Sequence, residues 1–234
     1  MGGFCMKGRA MRAAFPRTLP VLAGYLCIGT GFGVLLASKG YSFWWAILMS
    51  MTIYAGSMQY VAVDLISGGA TLVSTAVMTL LVNARHLFYG ISMLEKYRGA
   101  GAKKAYMTFG LTDETYSLVS RKQPEGVDQA GYCFLVSAFD QCYWVLGSAL
   151  GALAGNLPLD FTGIDFALTA LFVTIFVEQW LSTKNHLPAL VGVGAAVLCL
   201  VFFGSDRFLI PTMILIAAIL MMLRKTGKEE ETNA

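Results

Sequence analysis

Charge gathers in four stretches of this 234-residue chain, 7–17, 95–104, 113–128 and 224–231, leaving apolar runs of membrane length between them. A bilayer-spanning helix needs about 20 predominantly apolar residues. In lipid every backbone polar group must also be satisfied internally, which favours helices. Only 13% of the residues are charged and 56% are hydrophobic, against about 25% charged in a soluble domain. The fold class that follows is all-α, a polytopic membrane helix bundle. The net charge of +3 says little, because the basic residues lie where membrane topology needs them, and no nucleic-acid partner is expected. Cys5, Cys27, Cys133, Cys142 and Cys199 show no CxxC and no metal-ligand spacing. They read as small packing residues, and no metal or cofactor is expected.

The chain reads as one transporter domain with seven hydrophobic segments. Residues 1–17 form a basic tail, cytoplasmic by the positive-inside rule. Segment 1, 19–38, is too long for a signal-peptide core and is retained. It carries Gly24, Gly29, Gly31 and Gly33, and such density lets membrane helices approach closely. Segment 2, 43–66, contains Tyr54-Ala55-Gly56-Ser57-Met58-Gln59-Tyr60, where Gln59 offers an amide for interhelical bonding or substrate contact. Segment 3, 71–94, contains Asn83-Ala84-Arg85-His86. A cation at membrane depth costs about 2.5–3.5 kcal/mol, and Asn is a poor helix former. Two half-helices, 71–82 and 87–94, are therefore expected around a polar break. Breaks of this kind line cavities and mark substrate sites in transporters.

Residues 95–131 form a basic and amphipathic connector. Within it 105–120 reads as a short amphipathic or re-entrant helix, with Thr112 as a cap ahead of Asp113 and Glu114. Segments 4 to 7 follow at 132–154, 164–182, 187–203 and 208–223, and a charged tail occupies 224–234. Asp140 falls near the start of segment 4, an interfacial position. Gly31 recurs as Gly151 and Gln59 as Gln179, each 120 positions on, and Arg85 as Arg207, 122 positions on. This spacing predicts a three-helix repeat, 18–94 and 132–223, inverted as in many secondary transporters. The charges resist a simple count of crossings, since three full spans from an inside N-terminus leave the basic 95–104 loop outside. Either segment 3 is re-entrant, or 105–120 crosses, or the fold overrides the charge bias.

Several motifs stand in one order: Phe15-Pro16, the Gly-rich first segment, Tyr54-Ala55-Gly56-Ser57-Met58-Gln59, Val82-Asn83-Ala84-Arg85-His86-Leu87-Phe88-Tyr89-Gly90, Gly110-Leu111-Thr112-Asp113-Glu114, and Asp165-Phe166-Ala167-Leu168-Thr169-Ala170-Leu171-Phe172-Val173. Together they resemble the AzlC family, the large subunit of branched-chain amino acid exporters, over residues 15–223. The resemblance implies export of leucine, isoleucine and valine, with methionine as a further candidate, across the bacterial inner membrane. It also implies a separately made four-helix partner, the AzlD-type subunit.

Chemistry supplies roles for the residues. A zwitterionic substrate needs an anion-binding group, an acceptor for its ammonium and an apolar pocket. Arg85 suits the carboxylate. Asp113, Glu114, Gln59 or freed carbonyls suit the ammonium, and Asn83 and Gln179 complete the substrate-binding set. His86, Asp113 and Glu114 are the proton-coupling candidates. No nucleotide-binding loop is present, so a proton gradient is the simplest drive. Two other readings stand beside transport. An intramembrane hydrolase built on Ser57, His86, Asp113 and Asp140 lacks HExxH, nucleophile spacing and a paired-aspartate motif. A non-transporting assembly or receptor subunit would share every feature except movement of substrate. The small-residue faces at 24–33, 54–60 and 147–155 are expected to pack against a partner chain.

Overall fold

The computed structural model describes residues 2–121, 123, 126–157, 166–183, 186–204, 208, 211–212, 214–216 and 218–222. Two compact units divide the chain between Leu171 and Phe172. The first holds α1 (Gly2–Ser38), α2 (Phe43–Thr52), α3 (Gly56–Ser67), α4 (Leu72–Met93), α5 (Lys103–Phe109), α6 (Asp113–Ser120) and α7 (Gln129–Ala154); α8 (Phe166–Ser182) spans the division and α9 (Leu187–Phe203) lies in the second. Regular structure among the described residues is entirely helical. Residues 8–38 of α1 and the whole of α7 are long and apolar enough to cross a membrane.

The spine of the first unit is the packing of α1 against α7. Their contacts ascend together, so the two helices run parallel. Thr18 meets Tyr143 (Oγ1 to Oη, 3.1 Å), Tyr25 meets Trp144 edge-to-face at 5.3 Å, Thr30 Oγ1 donates to the Gly147 carbonyl at 3.4 Å, and Val34 reaches Gly155. A Cβ on Gly33 would strike the Ser148 carbonyl, and one on Gly151 the Thr30 carbonyl. Gly29, Gly33, Gly147, Gly151 and Gly155 are thus consumed inside the chain, not offered to a partner as expected. The 1–17 tail also differs from expectation, because α1 runs through it despite Pro16 and Pro20.

Segment 2 is not one helix. It folds back on itself at Ile53-Tyr54-Ala55, so that Gln59 Nε2 donates to Ser50 Oγ at 3.1 Å. Nine residues along a straight helix would separate those positions by roughly 13 Å. At the reversal Tyr54 takes φ +43°, and the Met49 carbonyl accepts from both Ile53 N at 2.8 Å and Tyr54 N at 3.3 Å. The Trp144 ring lies so near Gly56 that an added Cβ would sit 3.0 Å from it. A second hairpin, α5 and α6, turns at Gly110-Leu111-Thr112. The two tips meet beside α7, where Tyr54 and Phe109 pack at 6.2 Å and Gly110 abuts Ser137.

Segment 3 is corrected in the opposite sense. Rather than two half-helices, α4 is continuous from Leu72 to Met93. The Arg85 charge is met from α6, so no break is needed. These two corrections also place the basic loop. Gln129 at the start of α7 donates to the Lys96 carbonyl at 2.9 Å, and Ala14, Tyr97 and Tyr132 share one buried cluster. The basic residues of 7–17 and 95–104 therefore lie at one end of the bundle. Segment 2 is the folded-back element, an option absent from the three alternatives, and α4 returns the chain to the end from which α1 begins.

Asp128 caps α7 through Gly131 N at 2.9 Å, which starts the helix at Gln129 and sets Asp140 three turns deep. Asp140 is 0% exposed, not interfacial. In the second unit the Trp180 ring stacks on His186 at 4.1 Å, beside the start of α9. Of the three landmarks of the expected repeat, Gly31 and Gly151 lie on parallel helices, while Arg207 and the Gln179 side chain fall outside the described residues.

Replacing Gly33 or Gly151 by Ala should destabilise the protein by about 1–3 kcal/mol, the usual cost of overpacking. Gly24→Ala should be near neutral, since nothing lies within 4 Å of its Cβ position. Thermal unfolding in detergent reads the difference.

Candidate functional site

Arg85 projects from mid-α4 into the space where α3 and α6 both begin. Its Nη1 pairs with Asp113 Oδ2 at 2.7 Å, and its Nη2 donates to Ser57 Oγ at 2.8 Å. Ser57 is the second residue of α3 and Asp113 the first of α6. The first N–H groups of a helix lack intrahelical acceptors and carry partial positive charge. At α6 the Thr112 hydroxyl accepts one of them, from Thr115 N at 3.3 Å. At α3 the capping residue is Ala55, which has no side-chain acceptor. Two positive helix ends and a guanidinium thus converge, with Asp113 as the anion among them. The Arg85 and Asp113 side chains are 30% and 28% exposed, so a ligand can reach them.

The pair is incompletely satisfied. Arg85 Nε and Asp113 Oδ1 are buried without a hydrogen-bond partner among the described residues, and so is Asn83 Oδ1, two positions before Arg85. His86 is held locally: its Nδ1 lies 3.3 Å from the Asn83 carbonyl, and its ring meets Tyr89 edge-to-face at 5.8 Å. Tyr89 in turn stacks on Tyr116 of α6 at 4.4 Å. His86 also lines a cavity of about 310 Å³ with Leu87, Ile91, Leu94, Tyr97 and Lys104.

The sequence-predicted residues do not all assemble here. Arg85 and Asp113 are brought together, with Asn83 and His86 on the same helix as Arg85. Glu114 turns away from Asp113 toward α1, where its Oε2 accepts from Tyr25 Oη at 2.7 Å. Gln59 is fully buried in another network. Its Oε1 accepts from Trp144 Nε1 at 2.8 Å while its Nε2 donates to Ser50, so both ends of its amide are occupied. The Gln179 side chain lies outside the described residues.

Tyr25 and Thr115 escaped the sequence reading, and Ser57 and Asp140 entered it only as hydrolase candidates, not as the Arg85 partner and as part of a buried polar cluster with Tyr25 and Thr115. The Asp128 cap was the available signal for Asp140, since it fixes the true start of α7. Nothing in the sequence pairs Tyr25 with residues nearly ninety positions away.

The AzlC protein family matches residues 20–157. This chain is 43% identical over 226 residues, 96% of its length and 89% of the relative, to the branched-chain amino acid transport protein AzlC of Bacillus subtilis. The chain belongs to the AzlC family. It is also 42% identical over 216 residues, covering 91% of itself and 88% of the relative, to an uncharacterized membrane protein of Haemophilus influenzae. A more distant relative is the inner membrane protein YgaZ of Escherichia coli, 27% identical over 207 residues, 85% of this chain and 82% of that protein. No solved structure matches this fold. AzlC is a family of membrane transport proteins, not of enzymes, which sets aside the hydrolase reading.

The Arg85–Asp113 contact should appear as coupling in a double-mutant cycle. Arg85→Ala and Asp113→Asn should each lower thermal stability, and the double variant should recover at least about 0.5 kcal/mol of their sum. Strict additivity would mean that the two side chains do not pair.

Proposed function

We propose that this AzlC-family chain is a secondary transporter that exports branched-chain amino acids across the bacterial inner membrane, driven by protons and working with a small four-helix AzlD-type subunit. The observation that carries this reading is the Arg85 guanidinium set between the starts of α3 and α6, with Asp113 as its anion. A helix N-terminus favours carboxylate, and broken helices in transporters aim such ends at anionic substrate groups. A substrate carboxylate would take the place of Asp113 on Arg85. The released Asp113 carboxylate and the Asn83 Oδ1 would then receive the substrate ammonium. The branched side chain would enter the cavity beside His86, whose volume of about 310 Å³ suits a ligand of amino-acid size. The Bacillus subtilis relative, a branched-chain amino acid transport protein, supports the substrate class.

Gln59 serves the site by locking the α2–α3 hairpin to Trp144 and Ser50. Gln179 is kept as a substrate contact on sequence grounds alone. The basic end of the bundle would face the cytoplasm by the positive-inside rule. The α2–α3 hairpin would then enter from outside and the α5–α6 hairpin from inside, and each could open the site to one side in turn.

The test is export from a strain deleted for its own exporters and fed branched-chain dipeptides, with intracellular leucine measured. Co-expression of the chain with its small subunit should lower leucine accumulation, whereas the chain alone should export little. Arg85→Ala should slow export at least about tenfold, as loss of a charge-assisted hydrogen bond implies. Arg85→Lys should restore little, because only guanidinium presents a planar fork to carboxylate. Wild-type export by Arg85→Ala would overturn its role.

Histidine is the side chain that ordinarily changes charge near neutral pH, and His86 adjoins both Arg85 and the cavity. In liposomes that hold the chain with its small subunit, His86→Gln should lose transport driven by a pH gradient yet keep leucine–leucine exchange. Loss of both activities would assign His86 to structure.

A further inference from the structure

Five oxygen atoms form an unbroken line through the hairpin tips. Glu114 Oε2 lies 2.7 Å from Tyr25 Oη, and Tyr25 Oη lies 2.7 Å from Thr112 Oγ1. Thr112 Oγ1 lies 3.1 Å from Thr115 Oγ1, which lies 2.8 Å from Asp140 Oδ2. The line joins α6 to α1 and then α7, with a carboxyl at each end and three hydroxyls between. Tyr25, Thr112, Thr115 and Asp140 are all buried.

Counting hydrogens decides the state of this line. Four oxygen–oxygen contacts at hydrogen-bond distance need four hydrogens. Tyr25, Thr112 and Thr115 supply one each, and two ionised carboxylates supply none. One contact would then set lone pair against lone pair, with its groups already withdrawn from water. A single further proton, on either carboxyl, completes the line in a consistent direction. Among the described residues no basic side chain pairs with Glu114 or Asp140, because Arg85 is engaged by Asp113.

We propose that Glu114 and Asp140 share one proton through the Tyr25–Thr112–Thr115 hydroxyl line, and that Asp140 is its inner binding site. Transfer inward is a relay. The Glu114 acid gives its proton to Tyr25 Oη, Tyr25 gives its own to Thr112, Thr112 to Thr115, and Thr115 to Asp140 Oδ2. Four O–H bonds break and four form, no electrons change hands, and the negative charge passes from Asp140 to Glu114. The acidic and phenolic groups that face the line are Asp113 beside Glu114, and Tyr54 and Tyr106 beside Asp140 from the two hairpins. The Tyr54 hydroxyl and Asp140 Oδ1 are both buried without a hydrogen-bond partner among the described residues.

The use of this proton in transport rests on the proton-driven reading above, whereas the existence of the shared site does not. Infrared titration of the purified full-length chain in liposomes tests the site directly. The wild type should show a protonated carboxyl band that is lost or displaced in both Asp140→Asn and Glu114→Gln. Tyr25→Phe, which cuts the line and leaves both carboxyls, should move the midpoint of that band by at least about one pH unit, the coupling expected of interacting sites. Thr115→Val should do the same by cutting at the other end. Tyr143→Phe, whose hydroxyl meets Thr18 outside the line, should leave the midpoint in place. An unmoved midpoint in both Tyr25→Phe and Thr115→Val, or a band indifferent to either carboxyl variant, overturns the shared proton. Leucine flux in liposomes that hold the chain together with its small subunit separates the two ideas. If the band behaves as expected but no pH gradient drives leucine, the transport reading fails and the proton site stands. If gradient-driven flux is present and Tyr25→Phe fails to lower its ratio to exchange by about a hundredfold, the scale of proton-transfer catalysis, the line is not the coupling route.

Discussion

The close approach of α1 to α7 determines where nearly every other element of the first unit can lie. In lipid there is no hydrophobic push between helices, so the contact depends on fit. Gly29 and Gly33 on one helix face Gly147, Gly151 and Gly155 on the other, near enough that backbone touches backbone. From that line α7 presents Trp144 to several partners at once, Phe32 of α1 among them. Its ring packs on Tyr25 and Gly56, and its Nε1 donates to Gln59. The α2–α3 hairpin is therefore seated by α7, and its tip fixes Ser57 before Arg85. A methyl group between α1 and α7 would be felt first in packing and then at the guanidinium, two contacts away.

Much of the fold was legible because its causes are local. Segment 187–203 coincides with α9, between His186 and Gly204. The Thr112 cap ahead of Asp113 and Glu114 was visible from residue types alone and is present. The misplaced break in segment 3 has a plain origin, which is that a broken helix was inferred from the residues that looked costly. Arg85 is costly only when unpaired, and its partner arrives from α6. The real break at Tyr54 has no proline and no run of helix-averse residues. Its cause is tertiary: Trp144 fills the space beside Gly56, and Ser50 and Gln59 close the fold-back. Only the pair Gly56-Ser57 hinted at the start of a second helix there.

The same tertiary cause resolves the conflict between charge and crossing number. A sequence of apolar lengths treats segment 2 as one span, because α2 and α3 together carry enough apolar residues for one. Folded back, they return the chain to the side from which they set out. The basic stretches at 7–17 and 95–104 then share an end, as the charge rule alone would ask. Hydrophobic length counts residues, but it cannot distinguish a span from a hairpin whose two arms add to the same number. The Gln59–Ser50 bond makes that distinction, and no periodicity encodes it.

Asp113 and Glu114 show how neighbouring acids come to serve different networks. Successive residues on a helix are rotated by about 100°, so at the start of α6 one carboxylate faces α4 and the other α1. Asp113 takes the place of an anion on Arg85, and Glu114 ends the hydroxyl line. The two remain close enough to interact, and that proximity links them. While Arg85 balances Asp113, a negative charge on Glu114 meets little opposition from its neighbour. On the proposed reading, a substrate carboxylate on Arg85 would take the guanidinium from Asp113, and until the substrate ammonium reached Asp113 a second charge on Glu114 beside it would be costly. The shared proton would then favour Glu114 and the charge Asp140. Substrate arrival and proton position would in this way be coupled through one pair of adjacent residues.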